Sequence, residues 1–201
     1  MVNLSEEEID DLLYFSRAGE ISDLRELLKS LAERENVSPA EILISAKDQG
    51  KSTCLHMATG NGHIDIIKFL LDQFSARPAA AAEKHAFLDA PNEYGNTGLH
   101  WAALGGHLDA VKLLVEAGAS PALANDKNYV PLDLASFGDK MDVVDYFLSK
   151  MPEEGEDEDE DGKGGSGGLE KAVEDVNLNE NDGGEEEVHE GKAKGKEVAS
   201  S

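Results

Sequence analysis

Apolar residues fall along this chain in short runs at helical spacing, separated by polar breaks that contain glycine. Ile9, Leu12, Leu13 and Ser16 share one face of a helix, and Leu24, Leu27, Leu28 and Leu31 share the face of another that runs from Ser22. The pattern predicts a helix pair hinged at Ala18-Gly19. Ser5 is placed as the N-cap of the first helix, with Glu6, Glu7 and Glu8 at the positive end of its dipole. Ser38 to Ala46, with Pro39 in its first turn, reads as a short added helix. Further on, Thr53 to Thr59 reads as a short helix, Gly60-Asn61-Gly62 as a break, and Ile64 to Phe74 as a longer helix buried along Ile66, Ile67, Leu70 and Leu71.

That plan recurs. TGLHWAALGGHLDAVKLLV, Thr97 to Val115, matches TCLHMATGNGHIDIIKFLL, Thr53 to Leu71, at an offset of 44 residues (97 − 53). A further copy, YVPLDLASFGDKMDVVDYFL, follows after 33 residues (Leu99 to Leu132). The surplus of 11 (44 − 33) lies within Ser75 to Ala90, where Pro78 and Ala79 to Ala82 predict an added helical turn or an ordered loop. The first helix pair fits the same frame, with Gly19 where Gly62 falls, but it lacks Thr-x-Leu-His. An atypical polar unit is what a stacked array needs at its end. The units expected are about 5–46, 48–90, 92–124 and 125–150, in one folded domain of residues 1–151.

Charge divides the chain differently from length. Residues 1–151 carry 24 acidic and 13 basic side chains, and residues 152–201 carry 18 and 5, for net charges of −11 and −13. The second part has scattered Val, Leu and Ala, no aromatic residue and abundant glycine, so it is expected to be a disordered acidic tail. The opening MVNLSEEEIDD does not resemble a secretory signal, and no stretch approaches the ~20 apolar residues of a bilayer span, so an intracellular, soluble protein without membrane contact is expected. Cys54 is the only cysteine, which excludes an internal disulfide and a thiolate metal cluster. With no basic neighbour closer than Lys51 it reads as a small, unreactive turn residue.

Thr-x-Leu-His-x-Ala, then Gly-His and paired aliphatics, at a period of 33, resembles the ankyrin repeat over residues 1–150. The implied fold class is all-α, an ankyrin-repeat solenoid of about four helix-turn-helix units with short β-like turns. Cys54 and Gly98 stand where the family usually has proline, and Asp133 and Lys140 replace the two histidines in unit four, as in a C-terminal cap. More narrowly, four units, an insertion after the second, and an acidic tail resemble the fungal ankyrin-repeat chaperone dedicated to a KH-domain ribosomal protein of the small subunit.

By that resemblance His56 and His100 bridge neighbouring turns, while His63 and His107 open second helices. Their repetition with the fold speaks for structure, so no metal and no cofactor is expected. Trp101, Met57 and Leu134 occupy one equivalent position, read as packing between helices. The resemblance places partner recognition on a concave face: Gln49, Ser52 and Asn61 in unit two; Glu93, Tyr94, Asn96 and Leu104 in unit three; Asp126, Lys127, Tyr129, Asp133 and Phe137 in unit four. Tyr94, Tyr129, Phe137 and Leu104 would form an apolar strip edged by Glu93, Asp126 and Asp133, suited to an amphipathic basic helix.

The carboxylates occur in runs rather than as opposed pairs, and Gly164 to Gly168 lacks a flanking strand and helix, so no catalytic role is expected. An acidic surface is also poorly suited to nucleic acid. Composition therefore points to a basic protein partner, with steering by the tail expected to raise encounter rates by roughly 10–10³ at low salt. The resemblance supplies the rest of the expectation: a non-enzymatic escort, monomeric before it binds, that shields a basic RNA-binding segment of a newly made small-subunit ribosomal protein. The alternative is a signalling adaptor or inhibitor that masks a basic localisation segment of a regulatory protein. Cytoplasm and nucleus are the expected compartments, with the route of nuclear entry left open by the short cluster Lys192, Lys194, Lys196.

Overall fold

The computed structural model describes residues 2–74 and 80–150. The tail expected from residue 152 onward and Pro78 in the insertion lie outside the described residues. Helix α1 (Glu6–Ala18) begins at a capping box in which the Ser5 N–H donates to Glu8 and the Glu8 N–H to the Ser5 hydroxyl. It ends at Gly19, whose φ of 78° is left-handed. Helix α2 (Ile21–Glu35) returns beside it, and α3 (Pro39–Ser45) follows from a second capping box between Ser38 and Glu41. The predicted opening unit is thus present, including its extra helix.

Unit two contains α4 (Cys54–Gly60) and α5 (Ile64–Asp72), and unit three contains α7 (Gly98–Gly105) and α8 (Leu108–Ala117). Helix α5 stops two residues before the predicted end, and Gln73 and Phe74 form a turn that leads Phe74 inward. The insertion supplies α6 (Ala80–Leu88), whose Phe87 stacks on Phe74 with ring centroids 4.9 Å apart. A full short helix therefore replaces the expected turn or loop, because Phe87 and Leu88 give it an apolar end to bury. Unit four is α9 (Pro131–Phe137) and α10 (Met141–Leu148). All described elements are α-helices. The turns are β-like as expected, with the Gly95 N–H donating to the Asn92 carbonyl at 3.1 Å and the Asn128 N–H to the Asn125 carbonyl at 2.8 Å. Side chains reinforce them: Asn92 Oδ1 accepts the Tyr94 and Asn96 N–H groups, and Asn125 Oδ1 those of Lys127 and Tyr129.

The helices form two layers. α1, α4, α7 and α9 stack on one another as the inner layer, and α5, α8 and α10 succeed one another in the outer layer. The inner layer packs closely because small residues, Ala58, Ala102, Ala103 and Ala135, lie fully buried in it. Cys54 and Gly98 belong to this contact. Cys54 is the first residue of α4 rather than a turn residue, and it is completely buried. A side chain on Gly98 would stand 3.1 Å from Leu55 Cγ. Between the layers Leu12, Leu24, Leu28, Leu55, Ile66, Ile67, Leu70, Leu99 and Leu114 fill one continuous core. The stripe Ile66, Ile67, Leu70 and Leu71 is buried as its spacing requires.

Candidate functional site

Two rows of histidines fix the register of the stack. The Thr53 N–H donates to His56 Nδ1 at 3.1 Å, and His56 Nε2 reaches the Asn96 carbonyl of the next turn at 2.9 Å. His100 repeats this with the Thr97 N–H at 3.1 Å and the Tyr129 carbonyl at 3.0 Å. Each ring accepts on one nitrogen and donates on the other, so it is held neutral. Burial, first among the causes, lowers both pKa values below the ordinary 6.5. On the other side, His63 Nε2 reaches back to the Arg17 carbonyl at 2.8 Å and His107 Nε2 to the Gly60 carbonyl at 3.0 Å. All four imidazoles serve contacts between units, and among the described residues no group of three His, Cys, Asp or Glu is placed to hold a metal ion. Burial also pushes the Cys54 thiol up to about 11, so it is a thiol at neutral pH.

The turn tips extend from this framework. Backbone bonds join them in series: Glu93 N–H to the Gly50 carbonyl at 2.8 Å and Asp126 N–H to the Tyr94 carbonyl at 3.1 Å. Gln49, Glu93, Asp126 and Lys127 are exposed beside one another along this line. Tyr94 is 62 % exposed, and the Glu93 carboxylate, chiefly through a side-chain hydrogen bond, raises its phenol above the ordinary value. Tyr129 is half-buried and meets Phe137 edge-to-face at 5.0 Å, while Phe137 and Leu104 remain open on the inner helices.

Several of the residues expected at this face are engaged in the scaffold. The Asn96 side-chain oxygen accepts from Asn125 Nδ2 at 2.8 Å, and Asp133 Oδ2 accepts the Val130 N–H at 2.8 Å as the cap of α9. Asp133 is therefore a structural carboxylate first and an edge charge second. Ser52 is half-buried with its N–H on Asp48, and Asn61 donates to the Met57 carbonyl but stays exposed.

Trp101 departs from its expected place between helices. It is 39 % exposed on the inner layer, with its ring edge against Gly60 of the preceding unit, where a glycine side chain would meet Cε3 at 3.4 Å. Met57 and Leu134, at the equivalent position, are half-buried rather than enclosed, and Tyr14, at that position in unit one, is 58 % exposed. The inner face thus carries Tyr14, Met57, Trp101 and Leu134 in one row and Leu104 and Phe137 in the next. Read from the sequence pattern, Tyr14 has no role and Trp101 a packing role, although aligning Gly19 with Gly62 already places them in register. The arrangement presents apolar surface bordered by the exposed carboxylates of Glu93 and Asp126, which suits an amphipathic basic segment.

The chain matches the family description Ankyrin repeats (3 copies) over residues 12–125 and 83–159. It is 38 % identical over 159 residues to the ankyrin repeat-containing protein YAR1 of Saccharomyces cerevisiae, covering 79 % of this chain and 76 % of that protein. A shorter similarity, 32 % over 68 residues, reaches the liver isoform of mitochondrial glutaminase from Rattus norvegicus, covering 34 % of this chain and 10 % of that enzyme. Among solved structures, the complex of the yeast ribosomal protein Rps3 with its chaperone Yar1 superposes with a TM-score of 0.67 at 37 % identity, covering 74 % of this chain and 96 % of the matched one. The repeated turns, the paired helices and these similarities together establish that the chain belongs to the ankyrin-repeat family.

Proposed function

We propose that this protein is a non-enzymatic escort that binds and shields a basic, RNA-binding segment of a newly made small-subunit ribosomal protein during ribosome assembly. The observation that carries the proposal is the similarity to Yar1, which extends through nearly the whole of the matched chain in its complex with Rps3. The inner face supports it independently, since Tyr14, Trp101, Leu104 and Phe137 offer apolar anchors within an acidic rim. A buried aromatic anchor is worth about 2 kcal/mol or more, against roughly 0–1 for an exposed ion pair. The aromatics accordingly set affinity, and the acids, the net −13 of residues 152–201 included, set association rate and choice of partner. Work in cytoplasm and nucleus accords with a client made in one and assembled in the other.

Purification from cells followed by mass identification tests the reading. A stoichiometric small-subunit ribosomal protein supports it; a transcription or cell-cycle factor in its place supports an adaptor that masks a basic localisation segment. With the client in hand, Trp101→Ala should weaken binding by roughly tenfold or more with little change in association rate. Deleting residues 152–201 should lower the association rate and its salt dependence while leaving the dissociation rate unchanged.

A further inference from the structure

The outer side of the array has seams where the second helix of one unit meets that of the next. At the seam of α5 and α8 the insertion helix α6 bridges the helix ends. Phe87 stacks on Phe74, and Asp89 accepts the Ser120 N–H at 2.9 Å and its hydroxyl at 2.6 Å. At the seam of α2 and α5 an open groove of about 530 Å³ remains. Its apolar lining comes from Leu28 and Ala32 of α2, Val37 and Pro39 at the start of α3, and Phe69 of α5. Its lip is cationic at one end. The Arg25 guanidinium lies 5.0 Å above the Phe69 ring, and no carboxylate among the described residues is within ion-pair distance of it. Among the described residues Lys29 meets only Glu33, at 3.8 Å with both side chains largely exposed, a pair that contributes little.

That lip is unusual for a chain with 42 acidic and 18 basic residues. We propose that the groove docks an acidic amphipathic helix of a second protein. Its apolar stripe lies on Val37, Pro39 and Phe69, above the buried Leu28, and its carboxylates reach Arg25 and, by displacing Glu33, Lys29. The neighbouring seam shows that this outer layer accepts a short helix offering an aromatic side chain. Because the inner face favours a basic segment and this groove an acidic one, the two partners bind without competing. This pairing rests on the escort role proposed above: the protein then holds its client on one side and the acidic partner on the other.

The test uses the full chain and a labelled synthetic helix with leucines on one face and glutamates on the other, followed by fluorescence anisotropy at low salt. The proposal expects saturable binding that weakens by roughly tenfold in Arg25→Glu and in Phe69→Ala. It also expects no change in Phe137→Ala, and no displacement by a basic helix with lysines in place of the glutamates. Circular dichroism of each variant keeps loss of fold apart from loss of the site. Absence of binding, binding indifferent to Arg25→Glu, or binding lost in Phe137→Ala overturns the proposal. Arg25-dependent self-association in sedimentation overturns it in favour of a second copy of this chain in the groove.

Discussion

In unit three a buried imidazole closes the turn between Thr97 and His100, whereas in unit four a half-exposed carboxylate does so between Val130 and Asp133. Both accept the N–H at the start of an inner helix. Only the imidazole has a second nitrogen, and it uses that nitrogen on the Tyr129 carbonyl of the following turn. The second row repeats the contrast: His107 packs under Gly62 and bonds the Gly60 carbonyl, while Lys140 lies under Gly106 with its flexible stem. An interior unit needs a rigid, neutral, two-ended link, because both its neighbours are protein. A terminal unit needs only a cap, and a charge there keeps its outer side in water.

The largest effect that would sharpen this contrast is in His100→Ala. It leaves the Thr97 N–H and hydroxyl without their partner, takes from the Tyr129 carbonyl one of its two donors, and opens a void at a fully buried position, so urea unfolding should show a loss of about 2–4 kcal/mol. A cost no larger than that of Asp133→Ala would break the contrast. Gly62→Ala comes next. At φ +70° an added methyl is strained, and it would stand 2.6 Å from His107 Nδ1, so about 2 kcal/mol is expected. Gly106→Ala shares the strain at φ +73° but meets Lys140 Cδ, which swings aside, so it should cost less. Asp133→Ala should lose about 1 kcal/mol, as for a helix cap.

The smallest effect is the pH dependence. Burial holds His56 and His100 below their ordinary 6.5 in the folded state, so the unfolded chain binds more protons once pH drops under that value. Their contribution is complete above 6.5 and is lost as pH falls through the folded pKa values. Stability in a urea series should therefore begin to fall just below pH 6.5, and His100→Gln should flatten the slope there. A further loss belongs to Glu8, held down to about 2 chiefly by its hydrogen bond from Arg34. Its contribution disappears between pH 4.5 and about 2, and Glu8→Gln should remove that part alone.

Much of this architecture was legible in periodicity. Leu12, Leu24, Ile66 and Leu114 recur at fixed places in the repeat, and each is buried where the frame puts it. The bridging histidines were legible too, since Thr-x-Leu-His sits at one register in two units. Less was legible at the inner face. Trp101 was assigned to packing because it shares one repeat position with Met57 and Leu134, but that position lies on the open inner face of α7 and Gly60 covers only the ring edge. Asp133 was counted among edge charges, although its spacing from Val130 already matched that of His100 from Thr97.

The sequence by itself determined the repeat, its period, the helix pairs and the atypical ends, because each depends on spacing within one or two turns of chain. It also determined the acidic balance. Only the tertiary structure decided which apolar residues stay open, since that depends on what the fold places opposite them: a glycine of the preceding unit against Trp101, a tyrosine of the same unit beside Phe137. It likewise decided that α6 would bridge one outer seam while the other stayed open beneath Arg25, because nothing local to either segment specifies what lies across a seam.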